Sequence, residues 1–303
     1  MTETTHTYIR NTAVSLHGFD QCRFTSSALS EDTIHYRRAW MDAGHSGDME
    51  YLQRHETLKE HPDQLLKGVQ SAIVLSKNYR NAPPSPHTPD LKIARYAAGR
   101  DYHQIIGERL SSMEADLLER FPDHNFYSGV DSRPIAERDL ALAAGIGFRG
   151  RNSMIITPGQ GSYFFLAVIL TTLPLPPDAP STVNCGTCRA CVDACPTDVI
   201  SMDGGFDAQQ CISYTTIEKK NPMTASEHKS AEGWIFGCDI CQEVCPFNKE
   251  SLPMTDWPEF LPENGMGFNL KLTEDEVKPS RKTPLYRSRK RLIENVRFRQ
   301  AAD

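Results

Sequence analysis

The chain has 303 residues, 39% of them apolar and 24% charged, with a net charge of −6 at pH 7. That length accommodates one large domain and a smaller one, and the composition is that of an ordinary globular protein. The negative total excludes a polycation that grips nucleic acid over its whole surface.

Taken in chain order, the opening MTETTHTYIRN lacks the apolar stretch of a signal peptide, and Arg37-Arg38 is not followed by one. The longest apolar run, Tyr163 to Leu170, is far too short to cross a bilayer. The expected location is therefore the cytoplasm, where clustered cysteines bind metals more often than they pair as disulfides. A helix is expected over 30–43, with Ser30 as its cap and Gly44 just past its end. SAIVLS at 71–76 reads as a buried strand and PPSPHTP at 83–89 as a loop. Asp101 can cap a helix whose apolar stripe is Ile105, Ile106, Leu110, Met113 and Leu117. NFYSGVDS at 125–132 reads as a strand. RPIAERDLALAAGIG follows as a helix, with Pro134 in its first turn and Gly145 near its end. NSMIITP and GSYFFLAVILTTL read as two strands joined by GQG, and LPLPPDAP at 173–180 as a boundary. Beyond it regular periodicity fades, 251–280 is mostly loop-like, and a short helix is expected near 273–278.

The expected organisation is α+β. Residues 1–180 form a mixed α/β domain, 181–255 a cysteine domain, and 256–303 an extension with a basic segment at 281–299. That segment carries a net +7, leaving −13 for the remainder. A run of this kind is usually a solvated helix face; contact with nucleic acid is the sharper reading.

Eight of the nine cysteines lie between 185 and 245. Cys185, Cys188, Cys191 and Cys195-Pro196 match the bacterial iron–sulfur run C-x2-C-x2-C-x3-C-P in full. Cys238, Cys241 and Cys245-Pro246 match it without the leading cysteine. Two cubes need eight thiolates, and in two-cluster ferredoxins the fourth cysteine of each run ligates the other run's cluster. The expected first cluster is then Cys185, Cys188, Cys191 and Cys245. The second is Cys195, Cys238, Cys241 and Cys211, the last being the displaced leading ligand. Structural zinc does not account for two C-P endings. Cys22, alone, reads as a small buried hydrophobe. A bare ferredoxin would not need the 180 residues in front, so these are expected to receive the electrons.

ARYAAGRDYH (94–103), the stretch VDSRPIAERD to VILTT (130–172), CISYTTIE (211–218) and GCDICQEVCPFN (237–248) follow one another in this order. Together they resemble the epoxyqueuosine reductases, cobalamin-dependent enzymes of tRNA modification with two [4Fe–4S] clusters. The likeness runs from about residue 5 to about residue 299 and is to a short form without the helical repeats that follow in many members. It implies reduction of the epoxide of epoxyqueuosine, at the tRNA wobble position, to the alkene of queuosine, with two electrons and two protons consumed and water released. It implies a cobalamin-binding front domain, a ferredoxin-like cluster domain and a short basic helical tail. The implied proton donor is Asp131, in the V-D-[ST] position. Read without the resemblance, Asp131 is a helix cap. Where the family has Thr-Gly or Thr-Ala before the proline, this chain has Ser132-Arg133, and an arginine there is expected to lower the pKa of Asp131.

The implied corrin contacts are Arg54, Tyr96, Asp131, Ser132, Arg133, Pro134, Ile135, Ala136, Ile155, Ile156, Thr157, Ser213, Cys238 and Asp239. This set brings the corrin beside the second cluster. The implied tRNA side comprises Tyr102, His103, Lys219, Lys220 and the basic residues Arg281, Lys282, Arg287, Arg289, Lys290 and Arg291. The electron donor would be a low-potential flavodoxin or ferredoxin, and the chain a monomer. DYHQIIG (101–107) also fits D-x-H-x-x-G, by which other corrinoid enzymes give cobalt a histidine. Such a short pattern arises readily by chance, and Asp101 suffices as a cap, so base-off cobalamin without a protein imidazole is expected. Three other readings remain open. A reductive dehalogenase also couples cobalamin to two cubes, but uses a tyrosine donor and an export signal. A ferredoxin-type carrier would hold no corrin, and an RNA-binding protein with structural clusters would not turn over.

Overall fold

The computed structural model describes residues 4–81, 91–248, 251–265 and 282–302, with side chains to residue 298 in the last stretch. The loop expected at 83–89, the helix expected near 273–278 and Arg281 lie outside the described residues. In chain order the front half contains α1 (Thr5–Asn11), which runs into a π-helical turn, β1 (Gln21–Ser26), α2 (Glu31–Asp42) and α3 (Glu50–Glu60). Then come β2 (Ser71–Asn78), β3 (Lys92–Ile93), α4 (Tyr102–Arg120), β4 (Phe126–Gly129) and α5 (Glu137–Ala143). β5 (Phe148–Arg149), β6 (Ile155–Ile156) and β7 (Phe164–Thr171) complete it. The cysteine region carries α6 (Ala190–Ala194), α7 (Ile212–Ile217), α8 (Ala225–Ser230), β8 (Trp234–Phe236) and α9 (Ile240–Glu243), and α10 (Arg289–Ala302) closes the chain.

The main sheet has the order β1-β2-β7-β4, every neighbour antiparallel. Alternation along β2 sends Ile73 and Leu75 to one face and Ala72 and Val74 to the other. α4 covers the first face with all five residues of its expected stripe, each buried. α5 covers the second with Leu140 and Ala141. The fold is thus α+β, with helices on both faces of an antiparallel sheet. Trp257 and Phe260, from beyond the cysteines, complete the core under α4. β3 pairs in parallel with β8, so the front half and the cysteine region share a two-stranded ladder. Behind it Leu285, Leu292 and Val296 of the tail pack on Ile93, Ile235 and Phe236.

Ser30 caps α2, accepting from Thr33 N–H, and Gly44 follows at φ +79°. Two expectations need correction. The strand at 125–132 ends at Gly129, because Asp131 takes a left-handed φ of +54° that no strand accepts. The next helix starts at Glu137, leaving Pro134 outside its first turn. NSMIITP and the following strand appear as β6 and β7, joined through Gly159-Gln160-Gly161 as expected; β6 pairs with β5, and one bridge, Thr157 to Gly161, closes the turn. The proline-rich segment is pinned rather than loose. Asp178 accepts from Phe24 N–H at 2.9 Å and pairs with Arg10 at 2.6 Å.

Leu110 lies at the centre of the α4 stripe and is 1% exposed. Leu110→Ala is expected to lower the unfolding free energy by about 2–5 kcal/mol. In denaturant titration the midpoint should fall with the slope unchanged.

Candidate active site

A cavity of about 330 Å³ is lined from both halves of the chain. The front half supplies Tyr79, Tyr96, Tyr102, the β4–α5 loop and the start of β7; the cysteine region supplies the starts of α7 and α9 and the segment after α6. Most of the wall is apolar, with Asp131, Glu137, Arg138 and Asp239 as its ionisable carboxyl and guanidinium groups.

Asp131 is the most constrained of these. Its side chain is 59% exposed, into the cavity. Oδ2 accepts from the Tyr102 hydroxyl at 2.8 Å and lies 2.7 Å from His103 Nε2. Its backbone N–H donates to Glu137 Oε1 at 2.7 Å, which steadies the left-handed turn. Burial alone would raise the Asp131 carboxyl, but the His103 and Tyr102 hydrogen bonds outweigh it and hold the group below the ordinary aspartate range. Arg133 is not the cause. Its guanidinium reaches the Tyr127 hydroxyl at 3.4 Å and lies over that ring, away from the carboxylate. Glu137 behaves oppositely: burial, then the charge of Asp131, push it from 4.5 to about 8. His103 Nδ1 lies 2.6 Å from Asp101 Oδ1. Burial opposes charge on the ring, yet the two carboxylates raise its pKa above 6.5.

The cysteines fall into two sets. Cys191 and Cys245 are raised first by burial and then by the neighbouring Cys185 and Cys188 thiols, and Cys191 also feels Cys245. Cys238 and Cys241 are raised first by burial, with Cys211 adding at both, Cys238 adding at Cys241, and Cys195 adding at Cys238 and Cys211. Cys191 also acts on Cys241, so the two sets adjoin. All four members of the second set, Cys195, Cys211, Cys238 and Cys241, line the cavity. Among the described residues no three His, Cys, Asp or Glu side chains close on a single ion; a cube, with sulfides between its irons, spaces its thiolates more widely. Asp239, between Cys238 and Cys241 in wall and sequence, accepts from Arg95 N–H at 2.7 Å, and burial pushes it up to about 7. Cys22 is buried in the core, where burial pushes its thiol up to about 12.

Of the residues marked in the sequence, Tyr96, Tyr102, Asp131, Ile155, Ser213, Cys238 and Asp239 line the cavity. Pro134, Ile135 and Ala136 instead line a small crevice against Leu29 and Leu65, on the other side of the turn. Ile156 and Thr157 are buried, with the Thr157 hydroxyl bonded to Ile146 O. Ser132 and Arg133 are exposed, and Arg54 is exposed on α3 near the Glu50–Lys220 ion pair. Glu137, Arg138, Asn152 and Met154 line the cavity without having been singled out. An acid and a base in the first turn of α5 read as helix chemistry; their spacing from Asp131 was the usable signal.

The basic segment divides. Lys282, Arg287, Arg289 and Lys290 are exposed. Arg291 is 7% exposed and turned inward, donating to the carbonyls of Lys219 and Lys220, so it is an internal anchor rather than a phosphate-facing residue. Lys219 pairs with Glu227 at 2.6 Å.

Family models match in two places: "4Fe-4S double cluster binding domain" over residues 184–248 and "Epoxyqueuosine reductase QueG, DUF1730" over residues 59–132. The epoxyqueuosine reductase of Cyclobacterium marinum is 40% identical over 261 residues, which is 85% of this chain and 83% of that protein. That of Escherichia coli K12 is 38% identical over 250 residues, 81% of this chain and 65% of that protein. A crystal structure of epoxyqueuosine reductase with an epoxyqueuosine-modified tRNA stem loop superposes with a TM-score of 0.82 at 28% identity, covering 93% of this chain and 77% of that one. The Bacillus subtilis enzyme, solved with its catalytic aspartate loop swung out of the active site, superposes with a TM-score of 0.82 at 27% identity, covering 95% and 78%.

The raised Glu137 carboxyl has a consequence for stability. The native state keeps a proton that the unfolded chain releases near pH 4.5, so this contribution is full below 4.5 and is lost as pH rises toward about 8. Glu137→Gln should flatten the fall of unfolding free energy over that window, measured as denaturant midpoints at a series of pH values.

Proposed function

This chain belongs to the epoxyqueuosine reductase family, and on that premise we infer that it reduces epoxyqueuosine in tRNA to queuosine. The observation that carries the reading is one cavity lined both by Asp131 and by a complete set of four cysteines. Electrons and a proton donor then converge on one bound group.

The double-cluster domain holds two [4Fe–4S] clusters, and we assign Cys185, Cys188, Cys191 and Cys245 to the first and Cys195, Cys211, Cys238 and Cys241 to the second. The second set lines the cavity and the first does not, which supports entry of electrons through the first cluster and delivery through the second. The donor would be a low-potential flavodoxin or ferredoxin.

The cavity residues fit cobalamin. Phe164, Leu166, Val199 and Ile200 offer an apolar wall for the ring, and Arg138 and Ser213 offer polar groups for its amide edge. When bound there, the corrin would supply a low-potential cobalt able to pass two electrons to the epoxide carbon. Base-off binding without a protein imidazole is supported by His103, both of whose ring nitrogens already face carboxylates. Around that centre the chain's own residues orient the substrate and handle protons. Asp131 protonates the departing oxygen from the cavity wall. Tyr102 and His103 fix the carboxylate that does so, and the apolar wall excludes bulk water. The exposed cations Lys282, Arg287, Arg289 and Lys290 of the basic helical tail would take the phosphates of the anticodon arm.

Anaerobic reconstitution with iron, sulfide and cobalamin, followed by assay on epoxyqueuosine-bearing tRNA, tests the whole reading. Queuosine should form, and Asp131→Asn should lower kcat by about 100-fold or more. Absence of product from fully loaded wild-type protein overturns it. Replacing Arg287, Arg289 and Lys290 together by Ala should weaken tRNA binding and reduce the slope of log K against log salt by about 2, at roughly 0.7–0.9 per lost contact.

A further inference from the structure

We propose that Asp101, His103 and Asp131 form a proton wire, in which Asp101 holds His103 charged and His103 hands its Nε2 proton to Asp131 during turnover. The proposal rests on the reaction assigned above. That reaction consumes two protons, and one carboxyl carries at most one. The geometry supplies the rest. His103 stands between two carboxylates, Nδ1 at 2.6 Å from Asp101 Oδ1 and Nε2 at 2.7 Å from Asp131 Oδ2. Ionised carboxylates only accept, so both ring nitrogens donate, which is the imidazolium form. The Tyr102 ring stacks on the imidazole with centroids 4.0 Å apart and holds its plane. The Tyr102 hydroxyl reaches the same Asp131 oxygen, but burial and the Asp131 charge keep its proton on, so it orients rather than supplies.

The wire has an inner and an outer end. Asp131 opens on the cavity, and His103 is nearly enclosed, its side chain 8% exposed. Asp101 is 15% exposed, with the exposed Arg287 at 3.8 Å. Among the described residues, the other ionisable groups facing the wire are Glu137 at the Asp131 backbone and Tyr51, Tyr96, Arg138 and Glu218 around Asp131.

One pass balances as follows. The Nε2–H bond of His103 breaks as Asp131 Oδ2 gains the proton. The Asp131 O–H bond breaks as the departing epoxide oxygen gains it. The ring is left neutral with its remaining proton on Nδ1, held by Asp101, and it regains a proton at Nε2 from water in the cavity, so Asp101 stabilises the charge on the ring and passes no proton itself. A second pass delivers the second proton, and no electron moves through these residues. His103 acts through Asp131 and is a positioning residue. The plainer alternative is that Asp101 merely caps α4 and His103 merely braces the loop.

The test uses the holoenzyme and two variants, Asp101→Asn, which keeps the cap oxygen, and His103→Gln, which keeps a hydrogen-bonding side chain. Wild-type kcat should fall as pH rises through the His103 pKa, which NMR titration of its imidazole should place above 6.5. Asp101→Asn should move both the NMR midpoint and the kcat limb to lower pH together. His103→Gln should abolish that limb and lower kcat about 100-fold, with KM for tRNA within about two-fold. The proposal is overturned if the limb stays in place in both variants, or if His103→Gln changes KM and leaves kcat alone. Should His103→Gln not fold, the paired shift in Asp101→Asn decides the matter. Wild-type protein that makes no queuosine, yet shows the raised imidazole titration, would count against the assigned reaction and so remove the wire's purpose, whereas an ordinary imidazole titration in active enzyme would overturn the wire alone.

Discussion

A carboxylate on the wall of a mostly apolar cavity loses hydration and must find donors or give up its charge. Asp131 finds two, the Tyr102 hydroxyl and the His103 ring, and its backbone amide finds the Glu137 carboxyl. These three contacts require β4 to stop at Gly129, the chain to turn through a left-handed residue at 131, and α5 to begin at 137. Aspartate tolerates that backbone better than most residues, because its short polar side chain can bond locally. The local irregularity therefore belongs to the site's construction. Neighbouring carboxyls with opposite tendencies follow from it: the one with donors is held ionised, and Glu137, buried beside it, keeps its proton.

The scaffold delivers the two sides of the cavity by different means. α4 is seated on the sheet by five buried apolar residues, and this seating fixes where its first turn presents Tyr102 and His103. The cysteine region is attached through the β3–β8 ladder and apolar packing, with polar contacts setting its finer position. Arg151 donates to the carbonyls of Gly186, Cys188 and Met202, Asn152 donates to Cys241 O, and Asp239 accepts from Arg95 N–H. Fixed donors against backbone carbonyls set distance and orientation more narrowly than apolar packing does, which suits a region whose purpose is to hold redox centres at a constant separation.

Elements with strong local signals were legible in advance. α2 carries a serine cap and a terminal glycine, β2 an unbroken apolar run, and α4 a cap and a clean stripe, and each appears with nearly the expected bounds. β1 was not read, because this edge strand, Gln21–Ser26, mixes polar and apolar residues and is buried on one face only. The cysteine spacing carried its own meaning, since ligand patterns are local in sequence. Side-chain direction was the illegible part. Ile135 and Ile156 are as apolar as Ile155 yet face the core or a crevice, and Arg291 is as basic as Lys290 yet points inward. Those choices depend on how a turn rotates its flanking residues, which no local pattern encodes.

Arg291 gives the carboxy-terminal helix a second meaning. Its guanidinium closes the last carbonyls beyond α7, and Asn295 adds bonds to Thr216 O and Ile235 O. α7 begins immediately after Cys211 and carries Ser213 into the cavity. A displacement of α10 is therefore felt by the short helix that presents Cys211 and Ser213 to the cavity.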